Sequence, residues 1–233
     1  RDLYRAETFA RASGVPRSYG SYEELVSDPD VEVVYVATTH DAHVGCARLA
    51  LQAGKHVLVE KPLALNVAQA AEIARVATEQ RRFCMEALWT FCLPKFDVLK
   101  QVIGSGALGE VRTVLAEYGA HFAPEHRIMR LDLGGGPLLD LGTYPISLAT
   151  WALGAPSEIV ARGQDHPVGV NGQASALLID AAGNQAVVHT TLFSNTPTAA
   201  TIAGTDATLE LSGPFFQPGA FALKGADGRQ QLD

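Results

Sequence analysis

Three residues in this chain have side chains and surroundings suited to covalent chemistry: Lys61, Asp140 and Tyr144. Lys61 stands in Glu60-Lys61-Pro62, directly after the run His56-Val57-Leu58-Val59. It therefore falls at the carboxyl end of an expected strand, with a stiff proline behind it. Asp140 and Tyr144 lie within Gly134-Gly135-Gly136-Pro137-Leu138-Leu139-Asp140-Leu141-Gly142-Thr143-Tyr144. A separation of four puts two side chains on one face of one helix. Gly142 lies between them and adds no side chain, which would let a flat ring approach the helix closely. An ammonium, a carboxylate and a phenol suit the reduction of a carbonyl group. A phenol titrates near ~10. A neighbouring ammonium favours the phenolate and makes the phenol a better acid near neutrality. Spacing alone leaves other readings open: a strand-end lysine reaching water, a solvated helix aspartate and a core tyrosine.

Such a set needs a scaffold to bring it together. The 233 residues exceed a typical single domain, and 47% hydrophobic against 18% charged residues is an ordinary globular balance. A net charge of −7 argues against nucleic acid as a partner, because phosphate binding needs clustered Lys and Arg. Cys46, Cys84 and Cys92 form no C-x-x-C pair and are expected to be free thiols in a reducing compartment. With no signal-peptide pattern and no apolar run of membrane-spanning length, a cytoplasmic protein is expected, without membrane partners.

Helical spacing of Leu3, Ala6, Phe9 and Ala10 predicts a helix ending at Gly14, and Ser21-Tyr22-Glu23-Glu24 predicts the start of a second. Val31 to Ala37 reads as a strand, Val44 to Ala53 as a helix stopped by Gly54, and His56 to Glu60 as a strand. A helix capped by Asn66 runs to Gln80, and a strand spans Phe83 to Ala87. Alternating strands and helices with short connections predict a doubly wound parallel sheet, which binds ligands outside the carboxyl ends of its strands. Beyond Trp89 the rhythm changes. A helix from Pro94, a strand over Val111 to Tyr118 and a helix from Pro137 to Leu153 lead into strands near 157–163, 173–180, 185–194, 197–203 and 207–212. The expected fold is α/β: an incomplete, Rossmann-like parallel sheet in residues 1–88, then an α+β domain with an open, mostly antiparallel sheet in 89–233.

Several motifs occur together and in order: Ala37-Thr38 with His43, Ala53-Gly54-Lys55-His56 through Glu60-Lys61-Pro62, Gly106-Ala107-Leu108-Gly109, and Gly135 to Tyr144. In this combination the chain resembles the glucose–fructose oxidoreductase/inositol dehydrogenase/MocA family from about Arg1 to Leu211. Met85 to Thr90, the tyrosine at 144 and Ser194-Asn195-Thr196 look most like its dimeric dihydrodiol dehydrogenases. The resemblance implies an NAD(P)-dependent oxidoreductase acting on a sugar-like or cyclic diol or ketone, with NADP slightly favoured. It gives Lys61 a place beside the nicotinamide, Tyr144 the proton transfer, and Asp140 the orientation of substrate or lysine. Arg1, Thr38, His40, His43 and Glu60 match positions around the cofactor, Arg1 where an arginine often meets the 2′-phosphate of NADP. Trp89 and Tyr118 match aromatic positions lining the substrate pocket, and a homodimer or higher oligomer is implied. His40 and His43 lack a third ligand, so no metal is expected. Trp89-Thr90-Phe91-Cys92 departs from the family's Trp-x-Arg-Phe, leaving out an arginine near the cofactor or substrate. The family's first strand and glycine-rich loop precede the position of Arg1, and its last helix follows the final residues. A chain of this extent is accordingly expected to bind NADPH weakly. A cofactor-sensing regulator without catalysis and an inactive fragment are the rival readings.

Overall fold

The computed structural model describes residues 2–225 and 228–232, the latter stretch by its backbone. The chain forms two compact units, the first ending at Ala87 and the second beginning at Leu88.

The first unit opens with α1 (Leu3–Ser13), whose N-cap Asp2 accepts the Arg5 N–H and whose end turns on Gly14 at φ 67°. Next come α2 (Tyr22–Ser27), capped by Ser21, and then β1 (Val33–Val36), α3 (His43–Gln52), β2 (His56–Glu60), α4 (Val67–Gln80) and β3 (Cys84–Ala87). The strands form one parallel sheet in the order β1-β2-β3, with Val36 opposite Val59 and Val59 opposite Glu86. α3 and α4 pack on each other, and α3 packs on β1 and β2. Ala47, Ala50, Leu51, Val57, Val59 and Ile73 are buried together. β1 is shorter than the expected Val31–Ala37 because only its central residues pair with β2.

The second unit holds α5 (Pro94–Gly104), β4 (Val111–Gly119), α6 (Pro137–Asp140), α7 (Thr143–Leu153) and seven more strands. These are β5 (Glu158–Asp165), β6 (Asn171–Ile179), β7 (Gln185–Thr191), β8 (Ala200–Gly204), β9 (Ala207–Leu211), β10 (Phe221–Gly225) and β11 (Gly228–Leu232). Their order is β11-β10-β9-β8-β4-β7-β6-β5; β4 and β7 run parallel, and every other neighbouring pair is antiparallel. This is the expected, mostly antiparallel sheet, with a parallel β4–β7 pair and a hairpin, β10–β11, that the sequence reading did not anticipate. One face carries Val114, Ala116, Val188, Ile202 and Leu209 into a core with Phe96 and Leu99 of α5 and Leu148 of α7. The other face presents a row across β5, β6, β7 and β4 (Val160, Leu177, Val187, Leu115), of which Val160, Val187 and Leu115 are 53%, 44% and 47% exposed.

The single helix expected over Pro137–Leu153 is in fact two. The N–H groups of Leu141 and Gly142 both reach the Pro137 carbonyl at 2.8 Å, whereas the Tyr144 N–H reaches only back to Leu141. Pro145 is the cause. It has no N–H to donate and is tolerated only in a helix's first turn, so the helix restarts at Thr143. Gly142 serves this joint: a Cβ there would lie 2.4 Å from the Leu138 carbonyl oxygen. Its small size is required by the backbone itself.

Leu148, 1% exposed, joins α7 to the sheet. Leu148→Ala is expected to cost the second unit about 2–5 kcal/mol by leaving a cavity. Urea unfolding followed by tryptophan fluorescence, which reports on Trp89 and Trp151, measures it.

Candidate active site

In the first unit the candidate residues gather where β1 and β2 end. His43 opens α3, is fully buried, and lies between two carbonyl oxygens. Nδ1 is 2.8 Å from the oxygen of Pro62 and Nε2 is 3.2 Å from that of Thr38. The imidazole thus ties the loop after β1 to the segment after β2 that carries Lys61. His40 is buried and meets His43 edge-on, with 5.6 Å between ring centroids. Among the described residues no cluster of His, Cys, Asp and Glu could hold a metal.

Lys61 is half-buried, and its peptide bond to Pro62 is cis. Glu60 accepts the Lys61 N–H at 3.1 Å and the phenol of Tyr35. That bond to the carboxylate raises the pKa of the Tyr35 phenol. Glu86, on the neighbouring strand β3, accepts the Leu63 N–H at 2.8 Å. Carboxylates on both flanks therefore fix the backbone around Lys61. Beside the end of β1 a cavity of about 370 Å³ is lined by Asp2, Arg5, Tyr22, Thr38, Thr39 and Ala42. A guanidinium and two threonine hydroxyls at a strand end suit the phosphate and ribose groups of a dinucleotide. Arg1, also expected at the cofactor, lies outside the described residues.

In the second unit Tyr144 is 8% exposed, close to the start of α7. Its ring stacks on Phe216, with centroids 4.1 Å apart and planes 17° from parallel. Tyr118 of β4 lies 5.1 Å from Phe216 and 6.1 Å from Tyr144, and Trp89 meets Phe216 edge-on at 6.3 Å. The expected residues Trp89, Tyr118 and Tyr144 are thus drawn together around Phe216, which the sequence reading passed over. Its only outward signal was the pair Phe215-Phe216 between two prolines.

Asp140, 5% exposed, ends α6 and pairs with Arg127 at 3.0 Å. Arg127 was also missed. It comes from the 3-10 turn Arg127–Met129 in a polar stretch without periodicity. The glycine run delivers it: Gly135 N–H donates to the Arg130 carbonyl at 2.9 Å and Gly136 N–H to that of Ile128 at 2.7 Å. A Cβ at Gly135 would stand 2.5 Å from both oxygens. A guanidinium thus reaches the site from an element other than Trp89–Cys92, where the sequence lacks one. Burial, followed by the negative charge of Asp140, raises the pKa of the Tyr118 phenol.

A separate cavity of about 270 Å³ lies between α6–α7 and β5–β7, lined by Leu138, Pro145, Ile146, Ala174, Ala176 and Val188 among others. None of the candidate site residues lines it.

Removing the Asp140 charge should lower the Tyr118 pKa toward the ordinary phenol range. Alkaline ultraviolet titration of Asp140→Asn, with Tyr118 resolved by subtracting a Tyr118→Phe background, reads the shift. An unmoved Tyr118 would mean that the carboxylate is not sensed there.

Residues 1–88 match the family model for oxidoreductases with an NAD-binding Rossmann fold, and residues 96–210 match the GFO/IDH/MocA C-terminal domain. Trans-1,2-dihydrobenzene-1,2-diol dehydrogenase of Oryctolagus cuniculus is 40% identical over 220 residues, covering 94% of this chain and 67% of its own. The enzyme of the same name from Xenopus tropicalis is 34% identical over 229 residues, covering 97% and 69%. Among solved structures, a 3-ketoreductase of Actinomadura kijaniata in complex with NADP and TDP-benzene superposes with a TM-score of 0.89. It is 28% identical, and the match covers 99% of this chain and 73% of that one.

Proposed function

The chain belongs to the GFO/IDH/MocA family of NAD(P)-binding oxidoreductases, and we propose that it interconverts an alcohol and a ketone on a cyclic diol or sugar, with Tyr144 handling the proton. The observation that carries this reading is Tyr144 itself. It is a phenol held in a nearly dry aromatic cluster, in the same unit as a buried carboxylate that has its own guanidinium. When bound, the nicotinamide supplies the hydride for reduction and accepts it for oxidation. Thr38, Thr39 and Arg5 are the residues suited to hold the dinucleotide's phosphates and ribose. The guanidinium of Arg5 favours NADP over NAD.

In this reading Lys61, Asp140 and Tyr144 are the catalytic residues. Tyr144 donates its proton to the carbonyl oxygen in reduction and takes it back in oxidation. An ammonium such as that of Lys61, brought beside a phenol, makes it a better acid. Asp140, oriented by Arg127, receives a substrate hydroxyl. Trp89, Tyr118 and Phe216 offer flat apolar faces to the carbon skeleton of a ring, while the polar groups select hydroxylated ones. The relatives named for dihydrobenzenediol support a diol, and the 3-ketoreductase supports a ketone. No helix among the described residues is long and apolar enough to cross a membrane, and three cysteines without a disulfide fit a cytoplasmic setting.

The outer row of Val160, Leu177, Val187 and Leu115 favours a homodimer joined through this sheet face. Sedimentation at micromolar concentration should find dimers in the full-length gene product, and Leu115→Glu should shift them to monomers.

For catalysis, Tyr144→Phe in the full-length gene product should lower kcat by about 10²–10⁴-fold, the usual worth of general acid catalysis, and leave cofactor affinity intact. Lys61→Ala should lose a comparable amount. Steady-state kinetics with NADPH and a panel of cyclic diols and keto sugars, alongside fluorescence titration of NADPH, decides the matter. Full turnover in Tyr144→Phe would remove Tyr144 from the proton transfer.

A further inference from the structure

Phe216 sits on a loop with no regular secondary structure, between β9 and β10, yet its ring is 6% exposed and stacked on Tyr144. Three consecutive backbone carbonyls of that loop are held by side chains from one short segment near the start of α5. Lys95 Nζ donates to the Phe215 carbonyl at 2.7 Å and to that of Gln217. Thr90, 3% exposed, donates its hydroxyl to the Phe216 carbonyl at 3.2 Å. Two further bonds complete the loop: Phe215 N–H to Thr198 O at 2.9 Å and Gln217 N–H to Pro214 O at 3.0 Å.

The use of a lysine here is unusual in physical terms. A surface lysine extends its ammonium into water. Lys95 turns inward, and burial lowers its pKa. Among the described residues it forms no ion pair, so its charge is directed at the loop carbonyls. Charge-assisted bonds of this kind are roughly twice as strong as neutral ones. They also have a definite target. Phe215, fully buried, anchors the loop in the core, which leaves Phe216 as the ring whose position the clamp sets.

We propose that Lys95 and Thr90 are positioning residues for the reaction: by fixing the 215–217 carbonyls they hold Phe216 against Tyr144 and so set the ring plane from which the phenol proton is delivered. The torsion that turns a tyrosine ring is broad and roughly two-fold, so the ring takes its plane from its neighbours. A stacked ring 4.1 Å away supplies that constraint on one face, and Tyr118 limits it from another direction. The O–H bond lies in the ring plane, so a ring free to turn aims its proton away from the acceptor; misalignment of a reacting group can cost about 10²-fold in rate, and a loosened Phe216 is felt in kcat. This inference rests on the assignment of proton transfer to Tyr144.

The test is a kinetic double-mutant cycle on the full-length gene product with NADPH. Phe216→Leu and Lys95→Met should each lower kcat by about 10-fold, a fraction of what full misplacement costs, with the cofactor KM changed by less than about 2-fold. The double variant should be no slower than Phe216→Leu alone, because both changes remove the same constraint. Lys95→Arg, whose guanidinium can donate to two carbonyls, should restore most of the rate. Thr90→Val, which keeps the shape and deletes one bond, should move kcat in the same direction and serves where Lys95→Met does not fold. Additive losses in the double variant, or an unchanged kcat in folded Lys95→Met and Thr90→Val, would overturn the proposal while leaving Tyr144 in place. Tyr144→Phe run in parallel separates the two ideas: if it retains full turnover, the assignment of Tyr144 falls and this proposal falls with it.

Discussion

The approach of the glycine run to the carbonyls of Ile128 and Arg130 is the contact on which the second unit's site depends. Two N–H groups, of Gly135 and Gly136, close on two carbonyls of the preceding turn at 2.9 and 2.7 Å. Any side chain at 135 would collide with both oxygens, and Gly134 and Gly136 take φ values of 72° and 103°, which other residues rarely adopt. The same short backbone therefore does two things at once. It starts α6 at Pro137, and it presses the Arg127 turn against the helix that ends in Asp140. With another residue at 135 the turn would have to move away, and the buried carboxylate would lose its guanidinium.

The pair so formed matters more for orientation than for stability. Arg127 keeps 39% of its side chain exposed, so solvent screens the interaction, and a partly exposed pair of this kind contributes about 0–1 kcal/mol. Asp140 is 7% exposed in the same terms, and the guanidinium offsets part of the cost of burying its charge. The aromatic cluster contributes differently. Stacked and edge-on ring pairs add about 0.5–1.5 kcal/mol each beyond the area they bury. Phe216 makes several such contacts, with Tyr144, Tyr118, Trp89 and Phe215. It is a hub held by carbonyl bonds on one side and rings on the other.

The first unit reaches the same end by other means. There, short strands end in irregular segments, and polar side chains brace them. His43 joins the loops after β1 and β2, Glu60 bonds the backbone at Lys61, and Glu86 bonds the backbone at Leu63. Residues that resemble cofactor contacts in the sequence thus have structural partners as well. A strand end that must present a lysine at a defined position needs such bracing, because the sheet's own bonds stop one residue earlier.

Much of this was legible in the sequence because it is local. Alternating β-branched strands and capped helices announce the parallel sheet, and Asn66, Ser21, Gly14 and Gly54 mark helix ends through bonds that span only a few residues. Lys61, Asp140 and Tyr144 stood out because their motifs are contiguous. The break between α6 and α7 was also written there, in Pro145, but i,i+4 spacing concealed it. What only the tertiary structure decided are pairings across long sequence separations. Arg127 meets Asp140 through a glycine contact, and Phe216 meets Tyr144 from a loop 72 residues further along the chain, held by Lys95 from 121 residues before it. Periodicity records which face of an element is apolar. It carries no information about which irregular loop will be folded over that face, because that choice is made by bonds between carbonyls and side chains that lie far apart until the sheet has formed.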